Sequence, residues 1–197
     1  MLSYDDAEHR YYWFGVEIPS LSKLMEQTGW GRGDDLANVP EKVLETARTR
    51  GEQVHSAINK YLSADPTFAS ELSEASEPHF NSFLEALPGL PITAEGWGEL
   101  PIGGWCGYGT TPDWVDTGAI IEFKATYRIH PSVWIQLAGQ HFALNDAAPQ
   151  NRERLVVHLQ KDGKKAKVTR DKEPKITYAF WRNELDKIQW KRDNKWR

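Results

Sequence analysis

Cysteine is almost absent from this 197-residue chain, which contains only Cys106. A single thiol forms no internal disulfide and holds no zinc or iron–sulfur site by itself, so we expect it to be a small buried apolar residue. No apolar run approaches the roughly 20 residues that cross a bilayer, and the start, MLSYDDAEHR, lacks the basic-then-apolar layout of a signal peptide. We therefore expect a cytoplasmic protein with no membrane partner.

Internal repeats and clear domain linkers are also missing. Hydrophobic residues make up 40% of the chain and charged residues 26%, which are ordinary values for a globular protein. We expect one domain over residues 1–197, because this length leaves no room for a motor domain beside a catalytic one.

Positive charge is scarce before residue 150 and abundant after it. Residues 1–149 carry 9 Lys and Arg against 21 Asp and Glu, whereas residues 150–197 carry 15 against 7. A basic C-terminal segment suits a polyanionic partner, because each cation that meets a phosphate releases counterions; a solvated basic helix accounts for the charge equally well. Candidate phosphate contacts are Lys164, Lys165, Lys167, Lys191 and Arg192, and candidate base-stacking residues are Trp181, Trp190 and Trp196.

Apolar periodicity predicts an α/β fold in which helices flank a central mixed β-sheet. A strand with a turn at Gly15 comes first, and Pro19 and Ser20 open a short helix. Further helices are predicted in EKVLETARTRGEQVHSAINKYL, HFNSFLEALPG and, after Pro131, SVWIQLAGQHFALND. Strands are predicted in PITAEGW, GWCGYGTTPDWVD and GAIIEFKAT, as a meander with a turn at residues 116–118, and in RERLVVHLQ and KAKVTR, as a hairpin before a basic helix.

Three charged residues lie in the most strand-like segment, TTPDWVDTGAIIEFKAT. In a strand, Glu122 and Lys124 project from the same face, and a turn at residues 116–118 can bring Asp113 close to residues 121–123. Two carboxylates held together repel each other unless a proton or a hard metal ion relieves them, and an oxygen-rich site suits Mg²⁺ or Mn²⁺. Lys124 would then orient water and stabilise a negative phosphate. Taken alone, the Glu-x-Lys pair is more simply explained as a surface salt bridge.

The order of the motifs resembles that of the PD-(D/E)XK nuclease superfamily. Pro112-Asp113, eight intervening residues and Glu122-Phe123-Lys124 match its signature. TRGEQVHSAINKYL is similar to a helix of RecB-like nucleases that carries a histidine ligand, and QLAGQ resembles their QxxxY helix motif. The opening YYWFGVEIPSLSKLMEQTG is similar to that of phage exonucleases and of the mitochondrial genome maintenance exonuclease. The four motifs span about residues 11–144, and their order is more specific than any one of them.

The resemblance implies a restriction-endonuclease-like core and a Mg²⁺- or Mn²⁺-dependent DNA exonuclease. The metal ligands that it implies are His55, Asp113, Glu122 and the carbonyl of Phe123. It also implies that Lys124 is the catalytic lysine, beside the catalytic carboxylates, and that Gln136 supports the site or binds a DNA phosphate. An additional acid on the preceding strand would be Glu99 or Glu95, and the spacing favours Glu99.

Two positions depart from the pattern of the family. Gln140 replaces the tyrosine of QxxxY, and the small residue expected three positions before Asp113 is Thr110, with Gly109 displaced by one, which predicts a strand bulge. The absence of a four-cysteine set argues against the iron–sulfur nucleases of CRISPR adaptation, which otherwise share these motifs.

The resemblance further implies DNA as the partner, in phage-type recombination, repair or replication within a bacterial or phage-infected cell. Any helicase or annealing protein would be a separate chain. Two alternatives stay open, which are a structure-specific endonuclease of the same fold and a nucleic-acid-binding module without catalysis.

Overall fold

The computed structural model describes residues 1–31, 38–144 and 152–194. Within these residues the protein is a mixed α/β structure with five α-helices and three β-sheets. The helices are α1 Leu21–Gln27, α2 Glu41–Leu62, α3 Glu77–Ala86, α4 Ser132–Ala143 and α5 Pro174–Asp193. The strands are β1 Leu2–Asp5, β2 Arg10–Trp13, β3 Val16–Ile18, β4 Ile102–Gly103, β5 Gly109–Thr110, β6 Trp114–Val115, β7 Ala119–Lys124, β8 Glu153–His158 and β9 Lys167–Arg170.

The largest sheet has the strand order β6-β7-β8-β9 and is mixed, as predicted. Strands β7 and β8 are parallel, whereas the two outer pairs are antiparallel. Both central strands are buried along most of their length, because each is covered on both faces. On one face of β7, Ile121 and Phe123 pack with residues of α2 and α3. On the other face, Ile120 packs against Val133 and Leu137 of α4. Glu122 and Lys124 share the face of Ile120, toward α4.

The two smaller sheets pack against each other. Strands β1, β2 and β3 form an antiparallel meander, and β4 and β5 form a two-stranded ribbon. Gly109 allows them to approach closely, since a Cβ there would lie 2.1 Å from the Tyr11 ring. Gly104, at φ +78°, does the same for Trp13. The N-terminal hairpin, residues 2–13, is thereby fixed against the ribbon.

The predicted helices, the Gly15 turn and the hairpin over KDGKK are all present. The helix after Pro131 is described to Ala143, and the prediction beyond residue 144 lies outside the described residues. No helix of the described residues combines the length and the apolar character that a membrane crossing needs.

The predicted meander over residues 91–126 is wrong. Residues 91–97 contribute one isolated bridge, between Trp97 and Val115. The next segment divides between two sheets, because Gly109–Thr110 pairs with β4 whereas Trp114–Val115 pairs with β7. Glycines with positive φ turn the chain before this segment, and Pro112 lacks the N–H that a continuous ladder requires. A change of sheet therefore occupies the place of the predicted bulge, and Asp113 lies within it.

The tryptophans proposed for base stacking have different environments. Trp181 is fully buried, and its indole N–H donates to the Tyr108 hydroxyl at 3.0 Å, so it is a core residue. Trp190 is exposed, and Trp196 lies outside the described residues. Cys106 is half-buried rather than buried and packs beside the Trp181 cluster.

Candidate metal centre

Asp113 is held at the point where the chain enters the large sheet. The register places Trp114 opposite Ile121, so the preceding residue lies beside Glu122. The Phe123 N–H donates to Asp113 Oδ2 at 2.7 Å. The predicted approach of Asp113 to residues 121–123 is thus confirmed, and the backbone of β7 fixes the orientation of this carboxylate.

His55 reaches the same carboxylate from α2. The distance between its Nδ1 and Asp113 Oδ1 is 3.1 Å. Burial alone would lower the pKa of His55, but the charge of Asp113 and its hydrogen bond raise that pKa to about 9. One turn earlier, Gly51 has open space where a side chain would be, and both residues line the same cleft. The absence of a side chain at Gly51 therefore leaves room beside the imidazole.

Glu99 is the third member of this group, which we call the His–acid cluster: His55, Glu99 and Asp113. One potential ligand atom from each lies within 4.8 Å of the other two. Glu99 has the left-handed φ of +55°, uncommon for a residue with a side chain, and its N–H donates to the Pro112 carbonyl at 3.0 Å. A Cβ at Gly98 would lie 2.3 Å from the Asp113 carbonyl, so glycine there permits this close approach. The backbone therefore directs Glu99 toward Asp113.

The electrostatics of the cluster are those of crowded acids. Desolvation, followed by the negative charge of Asp113, raises the pKa of Glu99 to about 7. Burial also acts to raise the pKa of Asp113, but the charges of His55 and Lys124 and the Phe123 N–H lower it overall. Two carboxylates and an imidazole therefore face one another, and the single positive charge of His55 balances only one of the acids.

Glu122 belongs to a second group, the Glu122 network, formed with Lys124, Gln136 and Gln140. Its carboxylate is 2% exposed. Lys124 Nζ and Gln136 Nε2 donate to Glu122 Oε1 at 2.5 and 2.8 Å, and Gln140 Nε2 donates to Oε2 at 3.3 Å. The prediction that Glu122 and Lys124 share one face is confirmed. Three donors from two elements satisfy a carboxylate that burial would otherwise destabilise.

Gln140 is the site residue whose contribution the sequence left open. It lies one helical turn after Gln136, on the same face of α4, and is 1% exposed. The spacing of four residues between Gln136 and Gln140 indicates that both lie on one face of a helix. It points to a contact with Glu122 only once Glu122 is known to face α4. An amide thus occupies the position at which the family pattern has tyrosine.

The sequence-based metal set is divided between the two groups. His55 and Asp113 lie together with Glu99, whereas Glu122 lies in its own network. Glu95 is exposed and its N–H donates to the Thr93 hydroxyl, so it is positioned by that turn. The ring of Phe123 packs in the core against Phe83. That the Phe123 carbonyl and Glu122 bind metal stays a prediction.

A cleft of about 860 Å³ opens over the His–acid cluster. The N-terminal hairpin forms one wall and α2 forms another, and Gln136 reaches its edge from α4. Among the described residues that line it there is neither a lysine nor an arginine. The basic side chains proposed as phosphate contacts lie elsewhere, in the β8–β9 turn and the last turn of α5.

No known protein-family model matches this chain, and no curated protein matches it significantly. Imidazole nitrogens and carboxylate oxygens, the donors of the His–acid cluster, are groups that ligate divalent metal ions in proteins.

Proposed function

We propose that this protein is a Mg²⁺- or Mn²⁺-dependent deoxyribonuclease, an exonuclease of the PD-(D/E)XK type that hydrolyses phosphodiester bonds. The observation that carries the proposal is the convergence of His55, Glu99 and Asp113 beside a lysine held by a buried glutamate. DNA is the proposed substrate, in phage-type recombination, repair or replication, with any helicase or annealing protein as a separate chain.

The donor set fits a divalent cation. Asp113 and Glu99 bring two carboxylates to one position, and desolvation, followed by the charge of Asp113, raises the pKa of Glu99 to about 7. A hard cation would relieve this repulsion and leave His55 as a nitrogen ligand. When bound, such an ion supplies positive charge to a phosphate oxygen and makes a bound water more acidic.

The residues of the Glu122 network have a positioning task in this proposal. Glu122 holds the ammonium group of Lys124 at 2.5 Å, and the two glutamines fix Glu122. Lys124 is 16% exposed, so its charge is directed by this contact rather than dispersed in solvent. A fixed ammonium beside the His–acid cluster would orient water and stabilise negative charge that develops on the phosphate.

The sheet arrangement supports a restriction-endonuclease-like core. Such a core needs a mixed sheet with its acidic residues on adjacent strands and helices on both faces. Here β6 follows directly after Asp113, β7 carries Glu122 and Lys124, α2 packs on one face and α4 on the other.

Hydrolysis of end-labelled linear DNA, single- and double-stranded, tests this function directly. In Mg²⁺ or Mn²⁺ the wild type should release terminal nucleotides, and Lys124→Ala should not. Lys187→Ala is the matched control, because this exposed lysine of α5 pairs only with the nearby Glu184 in the described structure. Intact DNA with the wild type, or unchanged cleavage by Lys124→Ala, would contradict the proposal. Cleavage of closed circular DNA would instead support the endonuclease alternative.

A nucleic-acid-binding module without catalysis is the second candidate. It is favoured by one observation, namely that Glu122, the signature acid, already has three hydrogen-bond donors. Titration calorimetry with Mn²⁺ separates the two candidates. Uptake of Mn²⁺ that disappears in Asp113→Asn supports the nuclease, whereas no uptake by the wild type supports the binding module.

A further inference from the structure

The wall of the cleft opposite α2 is aromatic. Tyr4 and Tyr11 of the N-terminal hairpin both line the cleft, with their ring centroids 4.7 Å apart. His9 also lines it, and its Nδ1 lies 2.7 Å from the Tyr4 hydroxyl, with the two ring centroids 6.2 Å apart. His9 has a φ of +50°, in the left-handed region, so the turn of the hairpin directs its ring toward Tyr4.

The hairpin is held firmly in this position. Tyr11 is buried, its ring lies directly over Gly109, and its hydroxyl is 2.7 Å from the Thr111 hydroxyl. Trp13 is seated over Gly104 in the same way. These contacts fix the strand that carries Tyr11. The Tyr4 ring, which is tilted by 31° against the Tyr11 ring, therefore has a defined position relative to Asp113, which lies two residues after Thr111.

The remaining lining of the cleft determines what the aromatic wall can bind. Asp6, Glu52, Glu99 and Asp113 line the cleft, and the described lining residues include no lysine or arginine. A polyanion therefore finds no lysine or arginine among these lining residues to pair with its phosphates. Stacking of planar groups on aromatic rings does not need such cations, and every nucleobase offers a planar face. Desolvation raises the pKa of Tyr4 to about 12, so this ring adds no negative charge at neutral pH.

We propose that Tyr4 and His9 form a nucleobase subsite, which stacks the base of a nucleotide adjacent to the phosphodiester that is cleaved. The subsite rests on the proposed nuclease function and deepens it, because it assigns substrate positioning in the cleft to stacking rather than to phosphate pairing. Unstacked bases, as in a single strand or a frayed end, are the form of nucleic acid that it accepts.

A binding cycle between the protein and the base tests the subsite. Fluorescence anisotropy is measured with a labelled thymidine 12-mer and with the same oligomer made abasic at its three terminal positions, one end at a time. Ca²⁺ replaces Mg²⁺, and a gel checks that the oligomers stay intact. The proteins are the wild type, Tyr4→Leu, His9→Ala, and the controls Tyr4→Phe and Tyr12→Leu. Tyr12 lies on the same hairpin but does not line the cleft.

Loss of one stacked base should weaken binding by about tenfold. We expect that loss when Tyr4→Leu binds the base-bearing oligomer and when the wild type binds one of the abasic oligomers. When Tyr4→Leu binds that same abasic oligomer, we expect no further loss. Tyr4→Phe and Tyr12→Leu should bind within about twofold of the wild type, because they keep the Tyr4 ring. Two results would overturn the subsite. One is an equal loss of affinity by Tyr4→Leu on base-bearing and abasic oligomers, and the other is wild-type affinity that is the same with and without the terminal bases.

The same preparations distinguish this proposal from the nuclease proposal. Cleavage of the base-bearing 12-mer in Mg²⁺ is compared between the wild type and Lys124→Ala. Coupling between Tyr4 and the base without any cleavage contradicts the nuclease and supports the base subsite. Lysine-dependent cleavage without such coupling contradicts the subsite alone.

Discussion

The His–acid cluster and the Glu122 network meet at β7, yet they treat their carboxylates in opposite ways. Glu122 is buried and accepts hydrogen bonds from a lysine and two glutamines. In the His–acid cluster, one ligand atom of Glu99 lies within 4.8 Å of one from Asp113 and one from His55, and desolvation, followed by the charge of Asp113, raises the pKa of Glu99 to about 7. A carboxylate with hydrogen-bond donors contributes to folding, whereas a carboxylate whose pKa is raised, as that of Glu99 is, opposes folding in its charged form. This difference is the reason for proposing metal binding at the His–acid cluster and a positioning task for the network.

The largest expected effect comes from removing the central acid of the His–acid cluster. Asp113→Asn keeps an oxygen for the Phe123 N–H but removes the charge that faces His55. DNA hydrolysis should fall by roughly 10³-fold, with circular dichroism unchanged. Asp186→Asn, on the exposed side of α5, is the control and should retain full activity. Retained activity in Asp113→Asn would show that this cluster is not the reacting centre.

The network should show its effect in stability. Glu122→Leu leaves the Lys124 ammonium and two amides near or in the core without their acceptor. Breaking a buried charge pair in this way should lower the free energy of unfolding by about 3–5 kcal/mol, measured by urea denaturation. Glu45→Leu on the exposed face of α2 should change it by less than about 0.5 kcal/mol. If Glu122→Leu and Glu45→Leu were equally stable, the hydrogen bonds of Glu122 would not contribute to the stability of the fold.

Glu99→Gln sharpens the comparison, because it should weaken metal binding without weakening the fold. Calorimetry should give about 10- to 100-fold lower Mn²⁺ affinity. In EDTA the free energy of unfolding should match or slightly exceed that of the wild type, since the repulsion with Asp113 is removed. Glu95→Gln is the matched control and should leave the Mn²⁺ affinity unchanged. An equal loss of Mn²⁺ affinity in Glu99→Gln and Glu95→Gln would show that Glu99 is not a metal ligand.

Gln140→Met tests the least expected member of the network. Methionine fills a similar volume but leaves Glu122 Oε2 without its amide donor. Loss of this contact should cost about 1–3 kcal/mol of stability, less than Glu122→Leu. Gln189→Met, at an exposed position of α5, should be neutral. A neutral Gln140→Met would mean that the contact at 3.3 Å contributes nothing.

The smallest expected effect concerns another carboxylate that accepts several hydrogen bonds, Asp116. Burial acts to raise its pKa, but hydrogen bonds from Thr93 and Thr117 lower that pKa below the usual value. Its stabilisation is therefore complete above the unfolded-state pKa of about 3.9 and is lost as the pH falls through the lower folded-state pKa. Asp116→Asn should cost about 1 kcal/mol at pH 7 and progressively less toward pH 3. Urea denaturation across this range measures the difference, and a pH-independent difference would contradict it.

Strand periodicity was enough to predict which residues of the site share a face. Glu122 and Lys124 are two residues apart in an uninterrupted strand, and the turn at residues 116–118 limits where Asp113 can lie. These are local relationships, so a single sequence contains them.

The remaining features depend on tertiary structure. Glu99 approaches Asp113 through a left-handed φ and a close contact at Gly98, neither of which a propensity reveals. The contribution of Gln140 requires that α4 pack on the Glu122 face of β7. The predicted meander was wrong because glycine turns and Pro112 divide that segment between two sheets, which is decided by packing rather than by local pattern.

A crystal structure with bound Mn²⁺, located by its anomalous scattering, is the most direct test of the central claim. We predict one Mn²⁺ contacted by His55, Asp113 and Glu99 at about 2.0–2.3 Å, with Glu122 still bonded to Lys124 and Gln136. Mn²⁺ bound through Glu122 without Glu99, or no Mn²⁺ at saturating concentration, would contradict the assignment of the metal to the His–acid cluster.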